Sequence, residues 1–142
     1  MALSAEDAFP LFSAVGERRW VAGWNPRYMH PVKPHTGEGV VFQTVKGDLG
    51  TATWIQTRHV PGAGLASFVY IVPEHHAAMV DVCVTPDGEG RSRASVRYRM
   101  TSLSSDADNY VRAFADAFED FLSHWAVAIQ HHIVDGVPLG GE

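Results

Sequence analysis

The strongest pattern in the chain is helical and lies near its end. Between about Asp106 and Ile133, apolar residues recur at spacings of three and four. Placed at 100° per residue, Tyr110, Phe114, Ala117, Phe118, Phe121, Trp125, Ala128 and Ile129 share one face. Arg112, Asp116, Glu119, Asp120, Ser123 and Gln130 share the other. The spacing predicts one long amphipathic helix. Ser104 or Ser105 can cap it, and Asp106 and Asp108 suit the positive end of its dipole. Gly136 and Pro138 mark its exit. The apolar arc covers roughly half the circumference, wider than a coiled-coil seam, so a concave surface has to embrace it.

The middle of the chain has the period of strands. Five runs rich in Val, Ile, Thr, Tyr or Trp cover about Val40–Lys46, Thr51–His59, Ser67–Pro73, Ala78–Thr85 and Ser92–Leu103. Short turns rich in Gly, Pro and Asp join them, which demands an antiparallel meander, because parallel strands need long crossovers. In the last two runs Val80, Val82 and Val84, then Ala94, Val96, Tyr98 and Met100, alternate with Asp81 and Cys83, then Arg93, Ser95, Arg97 and Arg99. One dry and one wet face follow, with Asp81 placed to pair with Arg97.

The start of the chain predicts a helix from Ser4 to about Val15, with Ala8, Leu11, Phe12 and Val15 as its apolar stripe and Pro10 breaking its regularity. A further short turn covers Glu17–Val21. Asn25 to Glu38, with three prolines and Gly37, reads as loop.

Composition narrows the function classes. At 142 residues the chain is one domain in size, and 46% apolar with 19% charged residues suits a globular core rather than disorder. A formal charge of -5 disfavours nucleic acid and anionic membranes as partners. The one cysteine, Cys83, leaves no internal disulfide framework, and the first residues carry no secretory signature, so the expected compartment is the cytoplasm. No apolar run is long enough for membrane insertion. Adjacent pairs His75-His76 and His131-His132 are expected to diverge rather than chelate, so no metal site and no cofactor are predicted.

The order of elements, together with Gly16-Glu17-Arg18-Arg19-Trp20-Val21-Ala22-Gly23-Trp24-Asn25-Pro26, Thr53-Trp54-Ile55 and Val96 to Leu103, resembles the START-like (SRPBCC) superfamily over nearly the whole chain. That resemblance implies an α+β helix-grip fold: a curved antiparallel β-sheet wrapped around the long C-terminal helix, with short helical segments at the N-terminus. It implies a cavity but no particular reaction. The superfamily's usual first strand is truncated or absent here, since only Met1-Ala2-Leu3 precede the first helix.

Within that fold, Phe12, Trp24, Phe42, Trp54, Tyr70, Tyr98, Phe114, Phe118 and Phe121 are the candidates to line a cavity between sheet and helix, and Thr44 is a polar candidate beside them. The same residues can equally fill a core. The expected function is binding of a small, largely hydrophobic molecule, lipid-like or aromatic. An enzyme of the polyketide cyclase or dehydratase type is the alternative, with Tyr70, Tyr98 and Arg97 as candidate catalytic groups. A protein-interaction module resembling the superfamily's chaperone co-factors is a third reading. A homodimer stays open. Glu17 is expected to bond nearby backbone amides, and Arg18 or Arg19 could meet a ligand carboxylate. His132, on the apolar face near the last helix's negative end, reads as a helix-end cation.

Overall fold

Six antiparallel strands form one open sheet in the order in which they occur along the chain. In the computed structural model, which describes residues 1–135, they are β1 (Arg27–His30), β2 (Val41–Val45), β3 (Thr51–Val60), β4 (Leu65–Val72), β5 (His76–Pro86) and β6 (Ser92–Ser102). Five of these match the expected strands within a few residues. The sixth, β1, lies inside the stretch read as loop. It is short, sits between Pro26 and Pro31, and becomes a strand only by pairing with β2, Arg27 against Gln43 and Tyr28 against Phe42. The exit expected at Gly136 and Pro138 lies outside the described residues.

Alternation sets the two faces as expected. Ala78, Val80, Val82 and Val84 of β5 are buried, while Arg93, Ser95, Arg97 and Arg99 of β6 face solvent. Asp81 lies directly opposite Arg97 and accepts a hydrogen bond from it at 3.1 Å. The buried face of the sheet carries Phe42, Trp54, Phe68 and Tyr70 from three neighbouring strands.

The expected N-terminal helix is divided. Helix α1 (Ala5–Ala8) is capped by Ser4, whose hydroxyl accepts from the Asp7 amide. A 3-10 turn over Phe9–Phe12 begins where Pro10 has no amide hydrogen to continue an α-helix. Helix α2 (Ala14–Glu17) then starts on Ser13, which caps the Gly16 amide. Here the chain crosses itself closely: a side chain on Gly16 would overlap the Pro10 carbonyl oxygen. Two indoles fix the segment from outside. Trp20 donates to the Leu11 carbonyl at 2.8 Å, and Trp24 donates to the Ala14 carbonyl at 2.8 Å.

The long C-terminal helix is two segments in tandem, α3 (Asp108–Asp116) and α4 (Phe118–Asp135). Ala117 between them departs from helical geometry, though its amide still reaches the Ala113 carbonyl. Its side chain is exposed rather than on the covered face. The helix settles on the sheet unevenly. Ala128 and Ile129 are buried, whereas Tyr110, Phe114, Phe118, Phe121 and Trp125 are only half-buried. A sheet of six antiparallel strands with a C-terminal helix across one face makes an α+β fold compatible with a helix-grip arrangement. No helix among the described residues is long and apolar enough to cross a membrane.

Candidate functional site

The interior between sheet and helix converges on a cavity of about 20 Å³ lined by Phe12, Glu17, Phe42, Trp54, Phe68, Val80, Val82, Tyr98 and Trp125. That is room for about one water molecule. The ligand-sized space expected from the aromatic set is therefore not open: rings occupy it. Phe42 stacks on Trp54 at 5.6 Å, and Trp54 meets Tyr70 at 4.4 Å.

Of the candidate ligand-binding residues, Phe12, Phe42, Trp54 and Tyr98 line this cavity. Thr44 is buried as a structural partner, its hydroxyl accepting from the Trp54 indole at 3.0 Å. Trp24 packs edge-on against Phe42 and Trp54 but faces a surface hollow. Phe114, Phe118 and Phe121 gather around the Tyr98 ring, 5.3 to 5.8 Å away, outside the cavity wall. Arg97, a candidate catalytic group, stands on the opposite, solvent face of the sheet with Asp81 and does not join the site. The alternation of β6 that points Tyr98 inward points its neighbour outward.

The carboxyl group at the cavity is that of Glu17. Its carboxylate makes no hydrogen bond with the described residues, contrary to the expected backbone bonds, because the turn that follows bonds through the Glu17 carbonyl instead. Burial pushes its pKa up to about 8, against a smaller opposing pull from Lys46. Lys46 follows the inward parity of Phe42 and Thr44 on β2. Its ammonium lies 4.7 Å from the centre of the Tyr70 ring and 5.3 Å from that of Trp54. Burial lowers the Lys46 pKa, and Glu17 partly restores it. The two groups thus share one field without forming an ion pair. Burial likewise raises the Tyr98 hydroxyl, with Glu17 adding to the effect.

Tyr70 extends the polar network to the far end of the sheet. Its hydroxyl is 2.9 Å from Nε2 of the fully buried His76, whose Nδ1 is 2.7 Å from Nδ1 of His75. Adjacent histidines were expected to diverge. They converge because Glu74 takes a left-handed conformation (φ 63°) and places His75 in a turn rather than in the strand. Burial lowers the His76 pKa to about 4, helped by the His75 and Lys46 charges, so its ring is neutral at pH 7 and passes one proton role to each neighbour. Tyr70→Phe leaves His76 Nε2 buried without its partner and should cost about 1–2 kcal/mol in denaturant melts. A change within experimental error would show that the bond is not formed.

Arg18 is exposed and its guanidinium donates to the Asn25 side chain at 3.4 Å; Arg19 is also exposed. His132 is half-buried with no partner for its buried Nδ1 among the described residues. No group of three or more His, Cys, Asp or Glu side chains among the described residues is placed to hold a metal ion. Glu17 was expected to bond backbone amides and instead faces the cavity, as its place three residues from both Ala14 and Trp20 allows; Lys46, not singled out in the sequence, continues the inward alternation of Phe42 and Thr44. Comparison with protein families, with curated proteins and with solved structures found no match.

Proposed function

We propose that this chain is a START-like domain that binds a small, largely hydrophobic molecule carrying one hydrogen-bonding group. The ligand sits between the sheet and the C-terminal helix. The observation that carries this reading is Glu17: a carboxyl group with its pKa near 8, without a bonding partner, opening on a cavity otherwise walled by aromatic rings, valines and Tyr98. Glu17 is half-buried, and a carboxyl group held against apolar rings carries a desolvation cost that a hydrogen-bonding ligand relieves. The half-buried helix rings supply the room. Neither α3 nor the first half of α4 buries a residue fully, so this is the wall that yields to a ligand.

Titration with environment-sensitive apolar dyes, followed by displacement with fatty acids, sterols and aromatic polyketides, tests the reading. Saturable binding is expected at pH 7, weakening above pH 8 as Glu17 loses its proton, and Glu17→Gln should abolish that weakening. No saturable binding to any of these classes would overturn it.

The second reading, a polyketide cyclase or dehydratase type of enzyme, is favoured by the electrostatic coupling of Glu17 and Lys46. An acid with its pKa raised to about 8, in the field of an amine of lowered pKa, is suited to proton transfer. In that case Glu17→Gln should retain ligand affinity at pH 7 but lose turnover of any bound polyketide-like substrate.

A further inference from the structure

The free edge of β6 is an incomplete strand pairing, and it lies beside an unfilled groove. Ser92, at the start of β6, donates its amide to the Met1 carbonyl at 3.1 Å and accepts from the Met1 nitrogen at 2.7 Å. Both Ser92 backbone groups therefore point away from β5. By the two-residue period of an antiparallel strand, so do those of Ala94, Val96, Tyr98 and Met100. β6 is the last strand in the sheet, and the described residues give these four no backbone partner on that side. Alongside runs a groove of about 260 Å³, lined by Ala94 and Val96 of β6 and by Leu122, Trp125 and Ile129 of α4. It is far larger than the roughly 10–15 Å³ that one water needs in the same measure. A strand pairing with β6 would aim every second side chain into it.

The other face of such a strand would meet charge. Arg93, Arg97 and Arg99 stand exposed on the outer face of β6, with Asp87 and Asp81 as their only carboxylate partners among the described residues. These positions fall in the pairs where cross-strand side chains come closest. A second copy of β6 would bring arginines against arginines, which opposes self-pairing. On a chain of net charge -5, this basic row singles out one kind of occupant.

We propose that the β6 edge is a docking site for an extended segment of a partner protein in which apolar residues alternate with Asp or Glu. The segment adds a seventh strand beyond Met1, its apolar side chains filling the groove and its carboxylates facing Arg93, Arg97 and Arg99. This site is separate from the Glu17 cavity and does not depend on the ligand reading.

The test uses three labelled nine-residue peptides on the intact protein: alternating Val and Glu, alternating Val and Lys, and the Val–Glu peptide with a central proline. The first should bind saturably and at least tenfold more tightly than the other two. It should slow hydrogen exchange at the Ala94, Val96, Tyr98 and Met100 amides. Arg93→Glu with Arg97→Glu should reverse the preference between the Glu and Lys peptides, and Val96→Pro, which removes an outward-facing amide hydrogen and none of the β5 pairing, should weaken binding of both. Equal binding of the Glu and Lys peptides, protection confined to other amides, or no saturable binding would each overturn the proposal. So would concentration-dependent dimers that protect the same four amides without peptide, because the occupant would then be a second copy.

Discussion

Trp20→Ala should lower the stability of the fold by about 4 kcal/mol, the largest effect expected from a single truncation among the described residues. Trp20 is 1% exposed and packs edge-on against Phe12 at 6.0 Å and Trp125 at 5.2 Å. Removing a buried indole of this size typically costs about 3–5 kcal/mol through lost burial and the space left behind. The indole hydrogen bond to the Leu11 carbonyl is lost as well. Small domains have only about 5–15 kcal/mol in total, so the variant should lie near the threshold of unfolding. Trp20→Phe separates the contributions: most of the ring remains and the N–H does not, so a loss of about 1–2 kcal/mol is expected. Urea unfolding of both variants gives the answer, provided the slope with denaturant is unchanged. A loss below about 1.5 kcal/mol for Trp20→Ala would contradict the packing of Trp20 beneath α4.

Between pH 6.5 and about 8, stability should fall as pH rises, and Glu17→Gln should remove the fall. Glu17 has a folded pKa near 8 against an ordinary value of 4.5. Between these values the unfolded chain has released the proton while the folded chain still holds it, so the folded state binds more protons and loses stability with rising pH. His76 works in the opposite sense lower down. Its pKa falls from 6.5 to about 4 on folding, so the unfolded state binds more protons between those limits and stability there rises with pH. The two slopes oppose one another below pH 6.5, and above it Glu17 acts alone. Lys46, lowered by burial, restores stability only as pH climbs toward 10.5, and Asp81, held down chiefly by the Ser67 hydroxyl, matters only in acid. Each unit of pH is worth up to about 1.4 kcal/mol, so the window carries a loss on the order of 2 kcal/mol. Unfolding free energies measured at half-unit intervals should diverge progressively between wild type and Glu17→Gln from about pH 4.5 to about 8, since His76 is common to both. Parallel curves would place Glu17 in water.

The fold was legible where residues report their own surroundings. Val80, Val82 and Val84 alternate with Asp81 and Cys83 because one face of β5 is dry, and that alternation needs no knowledge of other segments. β1 was not legible, since Arg27–His30 has no such pattern and becomes a strand through β2. The site was half legible for a related reason. Phe12, Phe42, Trp54 and Tyr98 announce an apolar interior by their chemistry, but Glu17 and Lys46 carry charges that ordinarily mark a surface. Their inward direction comes from position, at the end of α2 for Glu17 and one residue past β2 for Lys46, and a charged side chain at an inward position contradicts the usual inference from residue type. Convergence of His75 and His76 rests on one backbone conformation, at Glu74, that no residue pattern advertises.

All four tryptophans of the chain stand around the same interior. They form two edge-on pairs, Trp20 with Trp125 at 5.2 Å and Trp24 with Trp54 at 5.8 Å. One pair joins the N-terminal segment to α4; the other joins it to β3. Indoles this close couple their electronic transitions, so the molecule contains two optical gauges set into different walls of one chamber. Lifting α4 would separate the first pair and leave the second intact, whereas loosening the N-terminal segment would disturb both. Emission and circular dichroism of the unlabelled protein can therefore tell which wall moves when something enters.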